Sequence, residues 1–153
     1  PQSSSFSMQP TSWLDARFKS YPSAAIDPVS GLPRDFSDNR MPGAPKFGGG
    51  VNATYTHALA NGYIGDVRLV YNYSAKRYFT ASENDLISSK SAYGLLNARI
   101  ALTPPNGGWD VALWGKNLTD KDYIYHANDG GIGYISYVFG ERRTYGLRLS
   151  VYF

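Results

Sequence analysis

The chain has 153 residues, no cysteine, a net charge of +3 and 42% hydrophobic residues. That length suits one domain, and the lack of cysteine excludes a disulfide framework or a thiolate metal site. The basic residues are spread singly, which argues against a nucleic-acid footprint, and no apolar run approaches the ~18 residues of a membrane-crossing helix.

Residues 1–12, with Ser3-Ser4-Ser5, lack the charged and apolar regions of a secretion signal. They read as a polar, disordered N-terminal segment. From there the chain alternates apolar and polar residues, the mark of strands with one greasy and one wet face. A first segment, about 13–21, sets Leu14, Ala16 and Phe18 against Asp15, Arg17 and Lys19. A second, about 46–57, sets Phe47, Val51, Ala53 and Tyr55 against Lys46, Asn52, Thr54 and Thr56. Its Gly48-Gly49-Gly50 run weakens it and marks a bend. A third, about 63–79, places Val67, Leu69, Tyr71 and Tyr73 opposite Asp66, Arg68, Asn72 and Lys76. A fourth, about 92–103, places Leu96, Ala98, Ile100 and Leu102 opposite Tyr93, Asn97, Arg99 and Thr103. A fifth, 109–123, has Trp109, Val111 and Leu113 on one face, Asp110 and Lys116 on the other, and an expected bulge near 115–117.

The sixth segment, about 143–153, alternates most strictly. Tyr145, Leu147, Leu149, Val151 and Phe153 occupy one face, and the chain stops on the aromatic ring. A soluble core strand ends awkwardly on such a ring, whereas a strand facing lipid ends well with the ring at the membrane–water boundary. The connections alternate too. Short turns surround Ala60-Asn61-Gly62 and Pro104-Pro105-Asn106-Gly107-Gly108, both with the Asn-Gly pair of tight hairpins, while 22–45, 80–91 and 124–142 are long. Short turns at one end and long loops at the other form the pattern of outer-membrane strands.

Strand length separates this reading from a β-sandwich. Soluble strands average about 5–6 residues, and these segments are longer. Tyr145 to Phe153 rises about 26 Å at roughly 3.3 Å per residue. Tilted by about 40°, that is roughly 20 Å along the normal, close to the apolar band of a membrane barrel. Soluble-looking mean hydropathy of −0.35 does not conflict, because the inward face dilutes it. The 13 Tyr, 3 Trp and 7 Phe suit interfacial girdles.

Four stretches carry a resemblance: Asn39-Arg40-Met41-Pro42-Gly43-Ala44-Pro45-Lys46, Tyr93-Gly94-Leu95-Leu96-Asn97-Ala98-Arg99-Ile100, Leu113-Trp114-Gly115-Lys116-Asn117-Leu118-Thr119-Asp120-Lys121-Asp122-Tyr123, and Arg143-Thr144-Tyr145-Gly146 through Phe153. In that order and spacing they resemble the C-terminal third of the barrel of TonB-dependent outer-membrane receptors. The resemblance covers roughly 35–153, fits less closely over 13–21 and leaves 1–12 unmatched.

It implies an all-β antiparallel meander of about six long strands over 13–153, part of a large transmembrane barrel in the Gram-negative outer membrane. It also implies active uptake of a scarce nutrient, a ferric siderophore before cobalamin or oligosaccharides. The implied partners are the lipid bilayer, the barrel-assembly machinery that reads the terminal strand, and the TonB complex acting through a plug region that this chain lacks. About six strands fall below the smallest closed bacterial barrel of eight, so the chain reads as a fragment that does not transport alone.

If the apolar rows face lipid, then Asp15, Arg17, Lys19, Asp66, Arg68, Arg99, Lys116 and Arg148 line the lumen. There they face a plug before they line a cargo path. Pro42 and Pro45 keep the entry to the second segment extended, and Asn117 and Asp120 close polar turns after the fifth. No catalytic or cofactor site is expected. His57 and His126 lack partners at metal spacing, Gly131-Ile132-Gly133 sits in a loop, and the carboxylate pairs Glu83/Asp85 and Asp120/Asp122 read as solvated. The competing readings are a soluble all-β carbohydrate-binding module and a small barrel assembled from several copies.

Overall fold

The computed structural model describes residues 2–22, 25–26, 29–84, 88–129 and 134–153. Its strands are β1 (Ser3–Met8), β2 (Ser12–Trp13), β3 (Ala25–Ile26), β4 (Pro33–Arg34), β5 (Phe47–Ala58), β6 (Ile64–Ser74) and β7 (Arg77–Tyr78). They continue with β8 (Ser89–Lys90), β9 (Tyr93–Thr103), β10 (Trp109–Lys116), β11 (Ile124–Asp129), β12 (Ile135–Phe139) and β13 (Thr144–Val151). The main sheet runs β1-β5-β6-β9-β10-β13, with β2 also on β5, and every pairing is antiparallel. This is the expected meander, with neighbours in sequence paired in space.

The turns follow from their residues. Between β5 and β6, Asn61 and Gly62 both take positive φ (63° and 79°), the backbone that tight Asn-Gly hairpins require. Between β9 and β10, Gly107 at φ 66° donates its N–H to the Pro104 carbonyl at 3.0 Å. Both turns lie at the end where β13 finishes. Three long connections, 14–46, 75–92 and 117–143, lie at the other.

The register makes each side chain's face explicit, because residues directly opposite share a face. One row runs Tyr55, Val67, Ile100, Leu113, Leu147; the next runs His57, Gly65, Leu102, Val111, Leu149. A third runs Phe6, Ala53, Leu69, Ala98, Gly115, Tyr145. The apolar rows expected from alternation in the second to sixth segments fall on this single face. A slip of one residue in any pair would turn that strand inside out. For Arg68 or Arg99, placement at mid-bilayer on a lipid face costs about 2–4 kcal/mol each, so the observed register is strongly preferred.

A single sheet buries little by itself. Of the described residues the large rings that are buried, Phe36 and Phe79, sit among the long connections and not in the sheet. Tyr21 meets Phe36 edge-on at 5.8 Å, and Phe18 packs against Tyr21 at 5.0 Å. The packed core is therefore a cap over one end of the sheet.

Several boundaries differ from expectation. The strand expected at 13–21 stops at its start. Leu14 donates to the Lys46 carbonyl at 3.0 Å, and after a gap the chain pairs again only briefly: Met41 donates to the Ala16 carbonyl at 3.0 Å and Phe18 to the Asn39 carbonyl at 2.9 Å, around the Arg17–Arg40 bridge. Beyond Lys46 the facing chain holds Pro42 and Pro45, whose nitrogens donate no hydrogen bond, so the ladder is interrupted across 42–45 and resumes only as an isolated bridge. Within 1–12, Ser3–Met8 pairs with Thr56 to Val51 instead of standing apart. The β1 and β2 registers differ by one residue, which places a bulge at 9–11. The irregularity expected at Gly48-Gly49-Gly50 thus lies on the opposing strand. β5 itself is continuous, and a Cβ on Gly49 would stand 2.7 Å from Thr11 Cγ2.

The third segment ends at Ser74, and Arg77–Tyr78 pairs with Ser89–Lys90 as a separate hairpin. The fifth ends at Lys116, because Asn117 turns to φ 47°.

Candidate functional site

The polar face of the sheet carries a connected set of charges. Arg68, Arg99, Trp114 and Gly146 form one row, and Thr56, Asp66, Ala101, Ala112 and Arg148 the next. Arg99 bridges two carboxylates, with Nη1 3.2 Å from Asp66 Oδ1 and Nη2 3.5 Å from Asp110 Oδ2. The second contact is an ion pair whose geometry falls short of a hydrogen bond, and Asp110 Oδ2 is buried with no other partner. Asp110 Oδ1 accepts from the Tyr152 hydroxyl at 2.6 Å, and Asp66 Oδ2 accepts from Thr56 Oγ1 at 3.2 Å. Arg68 Nε donates to Asn52 Oδ1 at 3.1 Å. Partly exposed contacts such as Arg99–Asp66 contribute about 0–1 kcal/mol each. Their importance is that they align charge along one face.

Of the charges expected to face a lumen, Asp66, Arg68, Arg99, Arg148 and Lys116 share this face. Asp15 and Arg17 do not. They stand in the 14–46 connection as an exposed 3.0 Å ion pair, with Arg17 Nη1 also donating to the Asp38 carbonyl at 2.9 Å. Lys19 lies in the same connection. Asp110 and Tyr152 complete the network. Asp110 was visible in sequence as a polar-face residue, whereas Tyr152 is an aromatic in the otherwise small or polar row of the terminal segment.

At the other end the three long connections interlock. Gly43 donates to the Tyr78 carbonyl at 2.7 Å, and Asn39 Nδ2 donates to the Ala81 carbonyl at 2.8 Å. Arg77 joins the second connection to the third. Its Nη2 donates to the Ile124 carbonyl at 3.1 Å and to Tyr93 Oη at 3.3 Å, while its guanidinium lies 5.2 Å from the Phe79 ring centre. No alternation pattern marks Arg77, so sequence reasoning missed it. Asp35, also in this cap, accepts from the Ser37 side chain and backbone N–H, which hold its carboxyl below the ordinary range.

Asn117 organises the chain leaving β10. Its Nδ2 donates to the Lys121 and Glu141 carbonyls at 2.9 and 3.1 Å, and its Oδ1 accepts from the Lys121 N–H at 2.9 Å. Its own N–H donates to Asn97 Oδ1 at 2.9 Å. Asp120, at φ 49°, accepts from the Arg143 N–H at 3.0 Å. The two polar turns expected at these residues are present.

Beyond them, β11 and β12 form a hairpin as their own two-stranded sheet. Its exposed Tyr125 and Phe139, with the stacked Tyr93–Tyr123 pair (5.1 Å), make the rim aromatic. Gly131-Ile132-Gly133 and Asp85 lie outside the described residues.

On the opposite face, Ile100, Leu113 and Leu147 stand out as a ridge, 56%, 61% and 68% exposed. Tyr145, Leu149, Val151 and Phe153 are also exposed there. His57 lies on this face, stacked on Tyr55 at 6.1 Å, while His126 meets Phe79 edge-on at 6.4 Å. Among the described residues no group of His, Asp or Glu is arranged to hold a metal ion. No described helix is long and apolar enough to cross a membrane.

The family model described as "TonB dependent receptor-like, beta-barrel" matches residues 6–118. The match begins within β1 and ends just past β10, so it takes in N-terminal residues that the sequence resemblance left out. No solved structure matches the chain.

Proposed function

The chain belongs to the TonB-dependent receptor family of outer-membrane β-barrels, and from that premise we propose that it forms the C-terminal part of a barrel that takes up a ferric siderophore or similar complex. The observation that carries the reading is the register. Six passes put every apolar row on one face and a linked set of charges on the other, with both short turns at the end where β13 finishes. A face of exposed Leu, Ile and Val costs nothing in lipid, and each such side chain gains about 1.5–3 kcal/mol on leaving water.

In this reading the Asp66–Arg99–Asp110 network faces the lumen, where it ion-pairs with a plug that engages TonB. The outer edges of β1 and β13 present unpaired backbone, which lipid cannot satisfy. They join further strands of the same barrel, so these six passes alone do not transport. The terminal row from Tyr145 to Phe153 is the part that the barrel-assembly machinery reads. The interlocked aromatic rim lies outside the cell and meets cargo through ring faces. The role is transport and not catalysis.

The test is uptake. The full-length protein, produced in an iron-limited strain lacking its own siderophore receptors, should restore growth on a ferric siderophore only while TonB is intact. Growth restored instead by cobalamin or an oligosaccharide would replace the cargo. Failure with every class would remove the transport reading.

A further inference from the structure

The lipid-facing surface is not smooth. Beside the Ile100–Leu113–Leu147 ridge, toward the short turns, lies a hollow of about 490 Å³, within the usual range of small-ligand sites. Gly65, Val67 and Leu102 are recessed and form its floor. Gly65 creates the depth, because it stands between His57 and Leu102 in a row where any side chain would fill the space. A second hollow of about 390 Å³ lies across the ridge over Ala98 and Gly115. There Leu118 covers the glycine, so a Cβ on Gly115 would stand 2.5 Å from Leu118 Cδ2.

The first hollow is lined almost wholly by hydrocarbon. On its turn side stands His57, stacked on Tyr55 and two residues before the chain enters the Leu59–Tyr63 turn. A histidine near the end of a lipid-facing strand belongs at headgroup depth. An occupant must therefore be apolar along most of its length and polar at one end. A protein partner would have to displace lipid from the whole exposed face to reach this recess, whereas a lipid is already there.

Resting on the reading that this face meets the bilayer, we infer that the hollow holds one acyl chain of a glycerophospholipid from the leaflet on the short-turn side. The lipid's phosphodiester accepts a hydrogen bond from His57. The site lies outside the lumen and serves neither cargo nor plug. It would fix the β5–β6–β9 part of the barrel against its lipid.

The residues suggest a clean probe. A Cβ on Gly65 meets its nearest neighbour, Leu59 Cδ1, at 3.5 Å, an ordinary contact, so a side chain can start from this position and Gly65→Leu extends one into the hollow. The full-length protein would be purified from outer membranes in mild detergent, equilibrated with phosphatidylglycerol vesicles and counted for retained lipid by native mass spectrometry. The parent should keep one phosphatidylglycerol through detergent washing. Gly65→Leu should weaken retention about tenfold, equivalent to about 1.4 kcal/mol. His57→Phe, which keeps the ring and its stacking on Tyr55, should weaken it less and abolish preference over a neutral diacylglycerol. Ala98→Leu, in the other hollow, should leave it unchanged.

Retention equal to the parent in a Gly65→Leu protein that still migrates as a heat-modifiable barrel overturns the site. So does equal loss in Gly65→Leu and Ala98→Leu, which would mean ordinary annular lipid. Absence of the parent from the outer-membrane fraction would instead refute the barrel reading on which the site rests.

Discussion

The Tyr152 hydroxyl donates to Asp110 Oδ1 at 2.6 Å and so ties the end of the last strand to the start of its neighbour. The bond lies just past the β10–β13 ladder, where Tyr152 N–H also bonds the Gly108 carbonyl at 2.9 Å. Asp110 in turn faces Arg99 on β9. Three strands thus meet at one carboxylate.

Tyr152→Phe should remove the hydroxyl while keeping the ring. A hydrogen bond to a charged group is worth about 1.5–3 kcal/mol, and the exposed Tyr152 ring puts the loss at the low end. Thermal unfolding of the folded barrel in detergent should shift down for Tyr152→Phe and further for Asp110→Ala. The alanine variant also leaves Arg99 with Asp66 alone. Equal unfolding temperatures for Tyr152→Phe and the parent would show that the bond contributes nothing.

Asn117→Ala should loosen the whole third connection. The substitution removes two donors and one acceptor that hold Lys121 and Glu141, and it puts alanine at φ 47°, where Asn is tolerated far better. The expected cost is about 2–4 kcal/mol from lost hydrogen bonds and backbone strain. Limited proteolysis should cut within 118–143 at least several times faster than in the parent, with the β9–β10 ladder intact. Asn117→Gly should fall between the two, because it restores the backbone and not the side chain.

Much of this arrangement was legible because period-2 alternation is a direct readout of a two-faced sheet. Leu113, Ile100 and Leu147 could be placed on one face without coordinates. The segment 13–21 alternates just as well and still fails as a continuous strand, since Pro42 and Pro45 opposite offer no donor and break the ladder before it resumes as a bridge at Arg17. Ser3–Met8 shows the converse. Its serines hid a strand that pairing with β5 sustains. The cap was the least legible part. Arg77 and Asn39 act across separate connections and Phe36 packs on Tyr21 within one, and nothing periodic marks such contacts in sequence.

Gly94→Ala should clash with the Tyr71 ring, which lies directly over the glycine on the apolar face. Overpacking of this kind costs about 1–3 kcal/mol. Tyr71→Ala should cost packing of its own, yet the double variant should be better than the sum of the two, since removing the ring opens the space. Additive losses in unfolding measurements would mean that Tyr71 does not occupy that position in the membrane.

A tag inserted at Asn128, on β11 near the tip of the third connection, should be reached by antibody on intact cells. The expectation follows from strand direction: β10 leaves the short-turn end and arrives at the cap. A tag detected only after outer-membrane lysis would invert the topology.

The last test separates the two faces of the terminal strand. Phe153 belongs to the row of Tyr145, Leu147, Leu149 and Val151 and is fully exposed, whereas Ser150 lies on the polar face opposite Asp110. On the proposed reading, Phe153→Asp removes a ring from the interfacial girdle and sets a second carboxylate beside the chain terminus. A charge there disfavours both lipid contact and docking of an apolar strand row. Outer-membrane accumulation of the full-length protein should fall sharply, by about tenfold if the loss is near 1.4 kcal/mol. Ser150→Ala leaves the apolar row intact and should accumulate normally. The heat-modifiable folded band in outer-membrane fractions reports both. Equal bands for Phe153→Asp and the parent would show that the terminal ring is not what the assembly machinery reads, whereas a fall in Ser150→Ala alone would assign that role to the polar face.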